Sequence, residues 1–146
     1  MLPLTASVAL AAPAPARACP SSQLRAAVAS DSGAMLHRDI TITLTNSGRS
    51  ACVIDGYPAI RLLDAQHHAS VAAESFSGEP PHAFSLAPGK HATFSILVAT
   101  TNGVVPAYPT MPTLAIVPPG DVSPLLLQHG VPAGPTIEIQ AIVPGG

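Results

Sequence analysis

Charge is what this chain has least of. Of 146 residues only 10% are charged, against about 25% in an average soluble domain. Its six basic residues, Arg17, Arg25, Arg38, Arg49, Arg61 and Lys90, stand well apart, and the net charge is −2. No basic stripe exists to neutralise phosphates, so nucleic-acid binding has no electrostatic footing. No acidic run and no glycine-rich phosphate loop is present either. After the first residues no apolar run is long enough to span a bilayer, so no transmembrane segment is expected in the mature chain. Tryptophan is missing, and two tyrosines and three phenylalanines are the only aromatic residues. The core must therefore be light and aliphatic.

Proline and glycine, in contrast, are abundant: 17 and 11 residues spread along the chain. Such frequent interruption excludes long helices and favours many short elements joined by turns. The length suits one domain with a core of ordinary size. Residues 1–18, MLPLTASVALAAPAPARA, read as an export signal peptide, because Ala16-Arg17-Ala18 fits the small-x-small cleavage rule. No positive charge precedes the apolar run, so an Ala/Pro leader is the competing reading. The domain proper is expected over residues 19–146, with the protein secreted or held in the cell envelope.

The hydrophobic pattern has period two. In residues 38–46, RDITITLTN, Ile40, Ile42 and Leu44 share one face and Thr41, Thr43 and Thr45 the other, the mark of a half-buried strand. Residues 91–99 repeat this with Ala92, Phe94, Ile96 and Val98, and the last segment with Ile137, Ile139 and Ala141. Shorter strands are expected at 21–30, 52–54, 58–64, 84–86 and 114–117. Residues 66–68 read as a hairpin tip, with a return at 70–72. Residues 73–83 and 101–112 carry prolines and polar residues and are expected to be loops. About seven or eight short strands with regular turn signals indicate an all-β, antiparallel sandwich.

Cys19 and Cys52 are the two cysteines. In an oxidising compartment such a pair is expected to form a disulfide. The loop it closes is worth roughly 3.8 kcal/mol in chain entropy, which would compensate for a light core. Two alternatives compete: lipidation of Cys19 at a mature N-terminus, disfavoured by Arg17 just before it, and a catalytic Cys52, which lacks nearby groups to lower its pKa.

The run LTNSGRSACVIDGYPAIRLLD (44–64) resembles the signature of DUF4232, a family of exported proteins common in actinobacteria. A strand ending in Thr45-Asn46, then Cys52, then Gly56-Tyr57-Pro58 and a strand ending in Asp64 carry the likeness. SLAPGKHA (85–92) matches the family's Leu-x-Pro-Gly turn, and Cys19 is followed five residues later by Leu24. The resemblance implies an immunoglobulin-like sandwich outside the cytoplasm and no particular activity. Many members carry a second cysteine pair, where this chain has Ala107-Tyr108-Pro109 and Gly134-Pro135. Gly56, Tyr57 and Pro58 are expected to form a structural corner. Gly56 can take a positive φ, and Pro58 holds Tyr57 extended. The Tyr57 ring can lie on the core while its hydroxyl reaches a backbone group. Pro88-Gly89 is expected to be a structural turn.

Signals for chemistry are sparse. None of His37, His67, His68, His82, His91 and His129 pair at spacings that metal sites use, and Met35-Leu36-His37 alone is too little for copper. GRSAC (48–52) departs from a nucleophile elbow by placing Cys52 where glycine is required. No catalytic, cofactor-binding or metal residue is assigned. The expectation is a non-catalytic binding or structural module with an unidentified envelope or extracellular partner. An extracytoplasmic metal carrier and an envelope hydrolase are the alternatives.

Overall fold

The computed structural model describes Pro3 and residues 17–145 apart from Met35, Val71 and 102–106. Most of the expected leader thus lies outside the described residues. A short 3-10 turn, Ser21–Gln23, leads into eleven strands among the described residues. They are β1 (Leu24–Ala34), β2 (His37–Asn46), β3 (Cys52–Ile54), β4 (Ala59–Leu63), β5 (Ala73–Ser77) and β6 (Phe84–Leu86), followed by β7 (His91–Ala99), β8 (Thr110–Val117), β9 (Leu125–Pro132), β10 (Thr136–Gln140) and β11 (Val143–Pro144). One sheet has the order β1-β2-β7-β10-β5, with β11 also on β7; a second has the order β4-β8-β9; β3 and β6 form a separate ribbon. The chain is an all-β sandwich, and its layering is consistent with the immunoglobulin-like form.

The period-two pattern decides which face is buried. Ile40, Ile42 and Leu44 of β2, with Ala92, Phe94, Ile96 and Val98 of β7, lie at 2% exposure or less. Ile137 and Ile139 extend this layer on β10. Ile60, Leu62, Leu114, Ile116 and Val131 face it from the second sheet, and Cys19, Cys52, Ile54 and Leu86 join the same cluster. Phe94 is the one fully buried aromatic side chain, so the core is almost purely aliphatic.

Two expected loops contain strands. Within 73–83, residues 73–77 pair parallel with β10, the one parallel pairing among the described strands. Hydrophobic alternation misses this strand because it lies at a sheet edge, with Phe76 half exposed and the rest small or polar. Glu74 explains the inward polar position: its Oε1 accepts the Ile60 N–H at 3.3 Å and pairs with Arg61 at 2.6 Å. It thereby occupies a main-chain donor on the free side of β4. Within 101–112, β8 already begins at Thr110. Pro112 is tolerated because the register with β9 shifts between Met111 and Thr113. The second sheet also gains the eight-residue β9, which none of the expected strands covered. The strand count rises accordingly. Residues 66–68 form the expected tip, where Asp64 accepts the Gln66 and His68 N–H groups. Of the expected return at 70–72, Val71 lies outside the described residues; just before it, Ala69 bridges to Leu63 and the Ser70 N–H donates to the Leu62 carbonyl at 2.8 Å.

One buried polar side chain organises the end of the sandwich. Asn46 has no solvent exposure. Its Nδ2 donates to the carbonyls of Ser50 (3.0 Å) and Leu86 (2.9 Å). Its Oδ1 accepts the Gly48 N–H (2.9 Å) and Gln23 Nε2 (3.2 Å). Its backbone pairs with Lys90 and Gly89 across the Pro88-Gly89 turn. All four side-chain positions are filled, which a buried carboxamide requires.

Substituting Asn46→Ala strands several of these partners and is expected to cost about 3 kcal/mol. Asn46→Asp should cost more, because a carboxylate would face the Ser50 and Leu86 carbonyls. Urea unfolding followed by circular dichroism checks both the size and the order.

Candidate functional site

The N-terminal segment is fixed by both covalent and main-chain bonds. Cys19 and Cys52 form a disulfide with a Cα–Cα distance of 4.9 Å, and both residues are buried. A lipid anchor would need the Cys19 sulfur, which this bond occupies. Pairing begins before Cys19: Val53 N–H donates to the Arg17 carbonyl (2.8 Å), and Cys19 N–H to the Val53 carbonyl (3.0 Å). Cleavage after Ala18 would remove the first of these acceptors. Arg17 also donates to Gln23 Oε1, itself joined to Asn46 through Nε2.

The remaining sequence-derived positions are corners. Gly56 has φ +129°, and its carbonyl accepts the Ile142 N–H at 3.4 Å. The Tyr57 ring rests partly buried against the core and 4.6 Å from the Phe76 ring. Its hydroxyl makes no hydrogen bond to a described residue. Around Pro88 and Gly89, Lys90 N–H donates to the Ala87 carbonyl and Gly89 has φ +78°. This is the geometry of a type II turn, which favours glycine at that position. The two segments where the resemblance implies a second cysteine pair are adjacent. The Tyr108 ring lies against Gly134, and Ala133 N–H donates to the Pro109 carbonyl.

The titratable groups scatter. Among the described residues no three His, Cys, Asp or Glu side chains are grouped so as to hold a metal ion. His68 sits beside Asp64, and His91 packs against Gly145. His129 meets Asp31 at 2.6 Å, and Arg38 pairs with the same carboxylate while donating to the Gly130 carbonyl. This trio joins the β1–β2 hairpin of one sheet to β9 of the other. The Arg38 guanidinium beside Asp31, aided by His129 and opposed by partial burial, holds the Asp31 carboxyl below the usual carboxylate range.

The face opposite the core carries a shallow trough. At this end of β7 the outward residues are Ser95, Leu97 and Ala99, while the flanking strands present polar side chains. His37, Asp39 and Thr41 of β2 lie opposite Ala99, Leu97 and Ser95. Glu138 of β10 lies opposite Leu97 from the other side. The short side chains of Ser95 and Ala99 leave two adjoining depressions, and Leu97 lines both. One, of about 200 Å³, is lined by Asp39, Ser77, Ser95, Ile96, Leu97, Glu138 and Gln140. The other, of about 150 Å³, is lined by His37, Leu97, Ala99, Thr136 and Glu138. Thr41 and Ser95 hydrogen-bond to each other at 2.9 Å. Asp39 and Glu138 take part in no ion pair among the described residues. Sequence reasoning missed this surface. Each strand's outward residues were legible, but which strands stand side by side was not.

A family model, domain of unknown function DUF4232, matches residues 19–142. The chain belongs to this family. No curated protein and no solved structure matches it. No helix among the described residues is long and apolar enough to cross a membrane.

Two stability measurements test this geometry. Reduction of the disulfide should lower stability by roughly 4 kcal/mol, read as a lower urea midpoint with dithiothreitol present. The depressed Asp31 value gives a pH dependence with a defined sign. Asp31 titrates near ~3.9 when unfolded, so its ion pairs contribute fully above that pH, and the contribution is lost as pH falls through the lower folded value. Asp31→Asn should therefore cost about 1 kcal/mol at pH 7, with the difference from wild type shrinking below about pH 4.

Proposed function

We propose that this chain is an exported, non-catalytic binding module of the cell envelope or extracellular space, and that its binding surface is the outer face of the β1-β2-β7-β10-β5 sheet. Export is supported by residues 1–18, whose Ala16-Arg17-Ala18 ending suits removal of a leader. The Cys19–Cys52 disulfide fits an oxidising compartment. The observation that carries the binding reading is the trough over β7. It is a pair of adjoining depressions that share Leu97 and Glu138 and are otherwise lined mainly by polar residues, on a face that no element of the described chain covers. Its titratable residues, His37, Asp39 and Glu138, lie in separate rows or on opposite sides of Leu97. They share no hydrogen bond that would pair a base with a nucleophile. Nothing observed favours the metal-carrier or hydrolase alternative over this one.

Photo-crosslinking tests the surface. A benzophenone side chain replacing Leu97 should give a discrete adduct in the envelope fraction of the source cells. The same group replacing Leu126, exposed on the outer face of the other sheet, should give none. Equal adducts from both positions would refute the assignment.

A further inference from the structure

We infer that the trough over β7 receives a lysine or arginine side chain of a partner protein, with its aliphatic stem on Leu97 and its cationic head between Asp39 and Glu138. This deepens the binding reading above and rests on it. The argument is charge complementarity on a built surface. Asp39 and Glu138 stand opposite the same residue, Leu97, from β2 and β10. Two strand spacings place their backbones roughly 10 Å apart, with the Leu97 side chain between them, so a cationic head would lie over Leu97 within reach of both carboxylates. Neither is ion-paired among the described residues. The only arginine on this outer face, Arg25, belongs to the row of Thr45 and His91. That row is six residues along β2 from Asp39, or roughly 20 Å. The trough is thus a local negative site in a chain that otherwise carries little charge.

Leu97 narrows the choice further. Leu97 is 36% exposed between the two acids, and long cationic side chains lay their methylene stems on such apolar spots while the head stays polar. An anionic ligand would meet two like charges. A saccharide is disfavoured because none of the chain's five aromatic side chains lines the trough, which leaves no ring for sugar stacking. A lysine or arginine matches both the acids and the leucine.

The test is an NMR titration of the ¹⁵N-labelled, disulfide-bonded chain with acetyl-trilysine amide. The controls are the same peptide with acetylated side chains, and maltotriose. The inference expects saturable amide shifts confined to residues 37–41, 95–99 and 136–140, with no response to the acetylated peptide. Asp39→Asn and Glu138→Gln should each weaken binding about threefold and together about tenfold. Leu97→Lys, which places an ammonium of its own in the trough, should block binding while leaving amide dispersion elsewhere unchanged. No shifts at the trough with trilysine, an equal response to the acetylated peptide, or full binding by the double variant would overturn the inference. Trough shifts with maltotriose alone would overturn the cationic class and leave the surface standing. Loss of the surface itself would show in the crosslinking pattern, whatever the peptide does.

Discussion

A carboxamide shut away from water survives only if each of its donors and acceptors is matched. Asn46 meets that condition, and in doing so it fixes the geometry of everything at its end of the sandwich. It joins the 3-10 turn through Gln23, the 47–50 loop through Gly48 and Ser50, and β6 through Leu86. Its backbone holds the Pro88-Gly89 turn that launches β7. Hydrophobic contact is non-directional, whereas these hydrogen bonds fix particular donors to particular acceptors. In a core with almost no aromatic residues, the polar hub supplies registration that ring packing would otherwise provide. The Cys19–Cys52 bond then ties the incoming chain beside that hub, so covalent and hydrogen-bonded constraints act on the same corner.

This explains why TNSGRSACVIDGYP has its composition. Asn46 ends a strand with its amide turned inward, and Gly48 approaches Gln23 closely. Cys52 opens the next strand toward Cys19. Gly56 then turns the chain with a positive φ, and Tyr57 covers the edge of the core beside Phe76. The acidic residues with lowered pKa do similar work at the periphery. Asp64 closes the hairpin tip through backbone N–H groups, and Asp121 accepts the Ser21 N–H across 100 residues of sequence.

Legibility in the sequence followed burial. Strands with one fully buried face, such as 38–46 and 91–99, announce themselves because the core demands an apolar residue at every second position. The edge strand 73–77 buries little and takes its order from main-chain bonds to β10, which leave no trace in side-chain polarity. Pro112 concealed the start of β8 because a proline at a bulge reads like a proline in a loop. The disulfide was legible from two cysteines and the expectation of an oxidising compartment. The trough was not, since Asp39, Leu97 and Glu138 become neighbours only through the strand order β2-β7-β10, and crossovers of that kind are set by topology. The hub was half legible: Asn46 belonged to the family signature and two of its partners, Gly48 and Ser50, are local, but Gln23 and Leu86 lie 23 and 40 residues away.

The floor of the trough belongs to β7, which is hydrogen-bonded to β2 on one side and to β10 and β11 on the other. A strand held along both margins cannot shift without tearing the sheet. A partner settling on Leu97, as proposed, would therefore meet a surface already in its final shape and lose little to reorganisation. The same stiffness has a corollary for signalling. If that face is occupied as proposed, the paired strands on either side of β7 transmit little movement across the sheet, which suits a clasp better than a relay.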